Sequence, residues 1–120
     1  MKRNVKFFLE DIIEQIELIE KSLHKKEDLL KNEDLRDATI RRLEVIGEAA
    51  KNIPENIRKK YPDIEWKKIS GLRDIIIHTY FSVNLDIVWD IIKKNLPDLK
   101  EKISKIKEKL AGLEGGEEET

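Results

Sequence analysis

Apolar residues recur along most of this chain at steps of three and four, with charged residues between them. The first segment shows the pattern clearly, because Val5, Phe8, Ile12, Ile16 and Ile19 would all fall on one face of a helix. No stretch alternates apolar and polar residues in the manner of a half-buried strand. The pattern therefore predicts an all-α protein, in which five helices with short connections form an antiparallel bundle.

Breaks in the apolar pattern predict where the helices begin and end. The third main helix is expected at about residues 70–81, and it has an alternative start at Ile64, with a bend near Gly71. Pro97 is predicted at the first position of the last helix, because its missing N–H leaves no helical bond unmade there. Helices are expected at about residues 4–25, 34–53, 70–81, 85–95 and 97–110, with a polar connection at 25–33 and a short helical turn at 54–61.

Gly47 lies within the second predicted helix, where glycine costs about 1 kcal/mol relative to alanine. A glycine there indicates the close approach of another helix, which we expect to be the helix that carries Arg73. The neighbouring Glu48 has two interpretations. It either supports Arg73 or a nearby basic residue, or it is an exposed acid on a solvated helix face.

Composition restricts the classes of function. The chain has 120 residues, which predicts one helical domain at 1–111 followed by a flexible acidic tail at 112–120. The 24 Lys plus Arg nearly balance the 25 Asp plus Glu, so any RNA contact requires a local basic patch. The absence of cysteine excludes disulfides and thiolate metal sites, and two histidines argue against a histidine-rich metal site within one chain. No metal, cofactor, signal peptide or membrane span is predicted, and the expected location is cytoplasmic.

The segment from Gly71 to Tyr80 combines Arg, Asp, His and Tyr with three consecutive isoleucines. On a helix Asp74 and His78 are four residues apart, so the carboxylate can hold one imidazole nitrogen and favour the protonated ring. Arg73 and His78 are five residues apart, or about 140° around the axis, so a regular helix cannot easily aim both at one small ligand. Either the arginine wraps round, or the helix is distorted, or two copies meet across a symmetric dimer.

Arg73, His78 and Tyr80 match the Arg-x4-His-x-Tyr signature of HEPN domains, in the version carried by HepT-like toxins of prokaryotic toxin–antitoxin pairs. The chain resembles that family from its first residues to about Leu110. The resemblance implies a four-helix up-and-down core with extra short helices, in agreement with the periodicity. It is also carried by residues 42–51, 62–66 and 69–73, by Val88-Trp89 and by Leu96-Pro97.

These residues suit metal-independent RNA cleavage, which needs a base, an acid and a positive group at the phosphate. Histidine titrates near neutrality and serves as base or acid, whereas the arginine fork binds two phosphate oxygens and keeps its charge. Asp74 would orient His78 and raise its basicity. Two copies of His78 across a dimer would supply the base and the acid, giving a 2′,3′-cyclic phosphate. The predicted enzyme is therefore an endoribonuclease with Arg73 and His78 at a dimer interface.

The role predicted for Tyr80 is implied only by the family resemblance. In HepT-like pairs of type VII the partner is a minimal nucleotidyltransferase antitoxin, which attaches AMP to the tyrosine of the motif. AMP on Tyr80 would add bulk and negative charge beside the phosphate-binding arginine and would block RNA. The expected partners are thus a second copy, this antitoxin and RNA, and neither DNA nor a membrane.

Two other functions fit the same residues. A non-catalytic dimeric HEPN module would bind a nucleotide or a nucleotidyltransferase without cleaving, and a purely structural helical adaptor would tolerate alanine at Arg73 and His78. The lysines of the last predicted helix are expected to form a solvated face with intrahelical ion pairs, a phosphate-steering patch being the alternative.

Overall fold

The computed structural model describes the backbone at residues 4–74, 76 and 84–119, and side chains as far as Gly112. Helices account for most of this part of the chain, and it contains no strand, which confirms the all-α prediction. Residues 72–74 and 76 are also helical. The helices are α1 (Val5–Ser22), α2 (Lys26–Lys31), α3 (Glu33–Lys51), α4 (Glu55–Lys60), α5 (Trp66–Ser70), α6 (Leu85–Asp90), a π-helical turn (Ile91–Asn95) and α7 (Leu96–Glu119).

Helix α1 packs against both α3 and α7. Two ion pairs fix its direction relative to α7: Lys100 lies 3.0 Å from Glu20, and Lys107 lies 3.5 Å from Glu10. Since the residue numbers rise along one helix as they fall along the other, α1 and α7 are antiparallel. This is the relation expected between the first and last helices of an up-and-down bundle.

The core lies along the facing sides of these three helices. Burying each such leucine or isoleucine side chain contributes about 1.5–3 kcal/mol relative to exposure, so tertiary packing rather than helix propensity dominates stability. The fully buried side chains include Leu9, Ile12, Ile16 and Ile19 of α1, Leu43 and Ile46 of α3, and Ile103 and Ile106 of α7.

The connection between α1 and α3 contains a helix where the sequence predicted only a polar connection. The Asp28 carboxylate accepts hydrogen bonds from the backbone N–H groups of His24 at 2.9 Å and Lys25 at 3.1 Å. Leu29 is fully buried, so the short helix α2 has an apolar anchor as well as a cap. Helix α1 accordingly ends at Ser22, before the predicted end near Lys25.

The helical run from α6 to α7 is continuous, so the prediction of a separate last helix beginning at Pro97 is wrong. In a regular α-helix the proline ring would clash with the carbonyl group four residues earlier, at Lys93. The wider π-helical turn Ile91–Asn95 precedes the proline, and at its end the Leu96 N–H bonds the Ile91 carbonyl, five residues back. The chain passes Pro97 by this local widening instead of ending the helix.

Helix α7 continues to Glu119, beyond the predicted end near Leu110. The division into a domain at 1–111 and a flexible tail at 112–120 stays a prediction. In the ranges that the structure describes, no helix has both the length and the apolar character needed to cross a membrane.

Candidate functional site

Arg73 is positioned by a tight contact of α3 with the end of α5 and with Leu72 just after it. A Cβ atom on Gly47 would lie 3.0 Å from the Ile69 carbonyl oxygen and 3.5 Å from the Leu72 Cβ atom. Only glycine allows the backbone of α5 to approach α3 this closely. The expectation that Gly47 faces the helix segment carrying Arg73 is thereby confirmed.

The helix carrying Arg73 is bent at Gly71, as the alternative start of the third main helix implied. Helix α5 ends at Ser70, and the Gly71 N–H bonds the Lys67 carbonyl at 3.0 Å. The chain turns helical again at Leu72, and the Asp74 N–H bonds the Gly71 carbonyl at 3.1 Å. This geometry directs Arg73 and Asp74 toward solvent, while Leu72 is buried.

Arg73 lies at a groove between α1 and α3 with a volume of about 480 Å³. This groove is lined by Phe8 and Asp11 of α1, by Arg41, Glu44, Val45, Glu48, Ala49 and Asn52 of α3, and by Arg73.

The polar groups of the groove are partly engaged with one another. Arg41 Nη1 lies 3.6 Å from Glu44 Oε2, and Asn52 Nδ2 donates to the Glu48 carbonyl oxygen at 2.8 Å. Arg73 and Glu48 both line the groove, and no ion pair of 4.0 Å or less joins them. Within the described residues, Arg73 forms no ion pair with any carboxylate, so its guanidinium group is available to an anion.

The structure brings together two of the five residues that the sequence singled out. Arg73 and Glu48 share the groove, and Asp74 follows Arg73 on the exposed side of the same turn. His78 and Tyr80 lie outside the described residues. The pairing of Asp74 with His78, and the convergence of Arg73 and His78 on one phosphate, therefore stay predictions.

Sequence reasoning did not identify Arg41 and Asn52 as residues of the groove. A signal for them exists, because Arg41, Glu44, Glu48 and Asn52 follow one another at steps of three and four and form one stripe on α3. A charged stripe of this kind is usually a solvated face, and it becomes one side of a groove because Phe8 and Arg73 lie beside it.

A second cavity, of about 300 Å³, lies between α5 and α7 and contains none of the predicted catalytic residues. Lys102 lies at its rim and makes two polar contacts there: its Nζ lies 3.0 Å from Asp98 and 3.1 Å from the Asp63 carbonyl oxygen. The hydrogen bond to Asp98 raises the pKa of Lys102 above its ordinary value. These contacts connect the α4–α5 loop to α7 and do not explain a reaction.

Four of the five lysines of α7 are paired with carboxylates, and the fifth, Lys109, lies over the Tyr61 ring. Lys105 forms the expected intrahelical pair with Glu101 at 3.4 Å, and Lys102 pairs with Asp98 at 3.0 Å. Lys100 instead bonds Glu20 of α1, and this bond raises the pKa of Lys100. The helix face is thus largely neutralised, which favours the solvated interpretation over phosphate steering.

Across the described ranges, no group of three or more His, Asp or Glu side chains is arranged to hold a metal ion.

Residues 9–106 match the model of the family described as ribonuclease HepT-like. This chain belongs to the HepT-like ribonuclease family. The resemblance drawn from Arg73, His78 and Tyr80 is therefore confirmed at the level of the family, together with its helical fold.

Relatives of known name agree with this assignment. A protein of Methanocaldococcus jannaschii, named as a gamma-glutamylcyclotransferase and candidate RNase, is 47% identical over 112 residues, 92% of this chain. This chain spans only 50% of that relative's length. A Thermococcus cleftensis protein named as a probable ribonuclease HepT is 43% identical over 109 residues, 89% of this chain and 99% of that protein. A second Methanocaldococcus jannaschii protein, named as a candidate RNase, is 42% identical over 120 residues, 98% of this chain and 96% of that protein. The comparison with solved structures gave no significant match.

Proposed function

We propose that this member of the HepT-like ribonuclease family is a metal-independent endoribonuclease and the toxin of a prokaryotic type VII-like toxin–antitoxin pair. The observation that carries the proposal is the placement of Arg73, exposed at a groove and unpaired within the described part of the chain. A buried or ion-paired arginine would have to break existing bonds before binding a phosphate. Arg73 has no such cost, and its planar fork matches two phosphoryl oxygens.

The proposed reaction is an attack of the RNA 2′-OH on the adjacent phosphorus. One His78 removes the proton from the 2′ oxygen, which forms a bond to phosphorus as the bond to the 5′ oxygen breaks. A second His78 gives a proton to the departing 5′ oxygen, and Arg73 stabilises the charge on the phosphoryl oxygens. The products are a 2′,3′-cyclic phosphate and a 5′-hydroxyl end. Asp74, four residues before His78, is the positioning residue for the imidazole.

A homodimer is part of this proposal because one regular helix separates Arg73 and His78 by about 140° around its axis. Two copies related by a two-fold axis bring two arginines and two histidines to the same place. In the described segment Arg73 and Asp74 point to solvent, so a second copy can reach them. A site shared by two subunits also suits a cytoplasmic protein of 120 residues, which is small for a deep cleft of its own.

Tyr80 is the proposed acceptor of AMP from a nucleotidyltransferase antitoxin. It lies seven residues after Arg73 in the sequence, a spacing equal to about two turns of a regular helix. An added AMP would place a phosphate where the RNA phosphate must bind, and would repel it. Intact mass after incubation with the antitoxin and ATP should rise by whole AMP units for the wild-type protein and stay unchanged for Tyr80→Phe. Equal modification of both proteins would contradict this assignment.

The deciding experiment is RNA cleavage by the purified protein in the presence of a chelator. Wild-type protein should yield 2′,3′-cyclic phosphate ends, and the His78→Ala and Arg73→Ala variants should not. Lys60→Ala is the control, because Lys60 is exposed on α4 and lies outside the groove. Cleavage that requires added metal, or that persists in His78→Ala, would reject the mechanism. Expression of the chain alone should arrest growth if it is a toxin.

A further inference from the structure

The groove beside Arg73 is unsuited to a run of backbone phosphates. In the part of the chain that the structure describes, the carboxylates of Asp11, Glu44 and Glu48 line it beside the guanidinium groups of Arg41 and Arg73. Among the described residues the carboxylates thus outnumber the guanidinium groups, and Arg41 is already paired with Glu44 at 3.6 Å. A polyanion gains nothing from such a surface. RNA held at Arg73 by one phosphate must therefore present something other than its backbone to the groove.

Next to Arg73, the groove offers hydrogen-bond acceptors above an apolar floor. The Glu48 carboxylate is exposed and forms no ion pair or side-chain hydrogen bond within the described ranges. Asn52, one turn further on, uses an amide hydrogen to bond the Glu48 carbonyl at 2.8 Å. Val45 and Ala49 supply apolar surface between the two helices, and Ala49 is 4% exposed. A flat apolar group with N–H donors on one edge would satisfy both features.

We propose that this groove binds one unpaired guanine base of the RNA, adjacent to the phosphate held by Arg73. The Glu48 carboxylate accepts hydrogen bonds from guanine N1–H and N2–H. This inference rests on the proposed ribonuclease function and makes Glu48 a specificity-determining residue of the same site. This role differs from both interpretations that the sequence left open for Glu48, a support of Arg73 or a nearby basic residue and an exposed acid on a solvated face.

Guanine is favoured by the chemistry of base edges. It is the one common RNA base with two adjacent N–H donors on its Watson–Crick edge, and a carboxylate has two acceptor oxygens and no donor. Adenine and cytosine place a donor beside a ring-nitrogen acceptor, and uracil places its donor between two carbonyl groups. Those acceptors would meet the negative charge of Glu48, which is a repulsive contact.

The same contacts determine the class of RNA. In a duplex the Watson–Crick edge of guanine is occupied by cytosine, so the carboxylate can reach it only in single-stranded RNA or in a loop. The groove volume of about 480 Å³ lies in the range of pockets that hold small ligands, about 300–1,000 Å³, which allows one base with its sugar. The predicted substrate is therefore an unpaired segment containing guanosine.

The test uses uridine oligonucleotides that carry one central guanosine, inosine, adenosine or cytidine. Inosine keeps N1–H and the carbonyl of guanine but lacks the 2-amino group. Because a hydrogen bond to a charged group contributes about 1.5–3 kcal/mol, wild-type protein should cleave the guanosine oligonucleotide roughly 10- to 100-fold faster than the inosine one. Glu48→Gln should remove this preference, since glutamine has one acceptor oxygen and presents an amide donor instead of the second.

Binding is measured in parallel on the His78→Ala protein by fluorescence anisotropy, so that the base site is tested without cleavage. The guanosine oligonucleotide should bind more tightly than the inosine one, and adding Glu48→Gln should make the two equal. Glu14→Gln is the matched control, because Glu14 is an exposed α1 carboxylate outside the groove. Thermal unfolding of Glu48→Gln should match the wild type, which separates a lost base contact from a lost fold.

The outcomes separate the two proposals. Cleavage that needs His78 but treats guanosine and inosine equally, with equal affinities, overturns the guanine site and leaves the ribonuclease standing. Discrimination in binding with no cleavage of any RNA by the wild type retains the base site and rejects the proposed function. A preference that survives Glu48→Gln in both assays assigns the discrimination to other residues and overturns the role of Glu48.

Discussion

A Cβ atom on Gly47 would lie 3.0 Å from the carbonyl oxygen of Ile69, a backbone atom that no side-chain rotation can move away. The contact sets the distance between α3 and α5, and Arg73 follows α5 by three residues. Any residue larger than glycine must therefore displace the segment that carries Arg73. Stability and the position of the arginine are coupled at this one contact.

Substitution of Gly47 tests this coupling. Alanine gains about 1 kcal/mol of helix propensity, but overpacking typically costs about 1–3 kcal/mol, so Gly47→Ala should destabilise by about 1 kcal/mol. Gly47→Val, which adds two further atoms and a branched Cβ, should destabilise by about 3 kcal/mol or more. Gly112→Ala is the control, since nothing lies within 4 Å of that position. Urea denaturation measures all three, and a stabilised Gly47→Ala would show that α5 can move without loss.

Thr39 provides a contrasting prediction for a buried polar group. It is fully buried, and its hydroxyl donates to the Leu35 carbonyl oxygen at 2.8 Å within the same helix. Because that carbonyl is also the regular helical acceptor for the Thr39 N–H, removing the hydroxyl leaves no orphaned partner. Thr39→Val should change the free energy of unfolding by less than about 1 kcal/mol. A larger loss in urea denaturation would mean that the hydroxyl has another partner.

Asp28 gives a prediction with a defined pH dependence. The backbone N–H groups of His24 and Lys25 lower the pKa of Asp28 below its ordinary value of 3.8. A lowered folded-state pKa means that the carboxylate stabilises the fold above pH 3.8 and that this contribution disappears as the pH falls through the folded-state pKa. The Tm of Asp28→Ala should thus be lower than that of the wild type at pH 7, and the difference should shrink in acid. Circular dichroism melts measure it. Asp37→Ala, at an exposed position of α3, should show a much smaller difference at pH 7.

Much of the fold follows from local rules that the sequence displays. The three- and four-residue spacing of Leu9, Ile12, Ile16 and Ile19 is sufficient to predict the buried face of α1, because a helix places them together whatever it packs against. Gly47 is predictable for a similar reason, since an interior glycine has a propensity cost that close packing explains. These features need no knowledge of distant residues.

Other features depend on contacts with other parts of the fold, which the local sequence does not reveal. Pro97 predicts a helix start, and a π-helical turn before it instead keeps the helix continuous. Lys100 has no carboxylate three or four residues away on its own helix, and it bonds Glu20, 80 residues away in the chain. The groove also depends on tertiary packing. Its motif residue Arg73 is identifiable from sequence, whereas the roles of Arg41 and Asn52 depend on how α1 packs against α3.

Replacement of Arg73 distinguishes phosphate binding from a structural role. Since Arg73 is exposed and forms no ion pair in the part of the chain that the structure describes, Arg73→Ala and Arg73→Lys should unfold at nearly the wild-type temperature. Activity should behave differently. Loss of one preorganised charge-stabilising group typically costs roughly 100- to 1,000-fold in kcat, which is the expected effect of alanine. Lysine keeps the charge but not the two-pronged geometry, so Arg73→Lys should recover only part of the rate.

Arg41→Lys, at an arginine already paired with Glu44, should have a smaller effect than Arg73→Lys. Cleavage rates with chelator present measure each variant, and full activity of Arg73→Lys would show that charge alone is enough at this position.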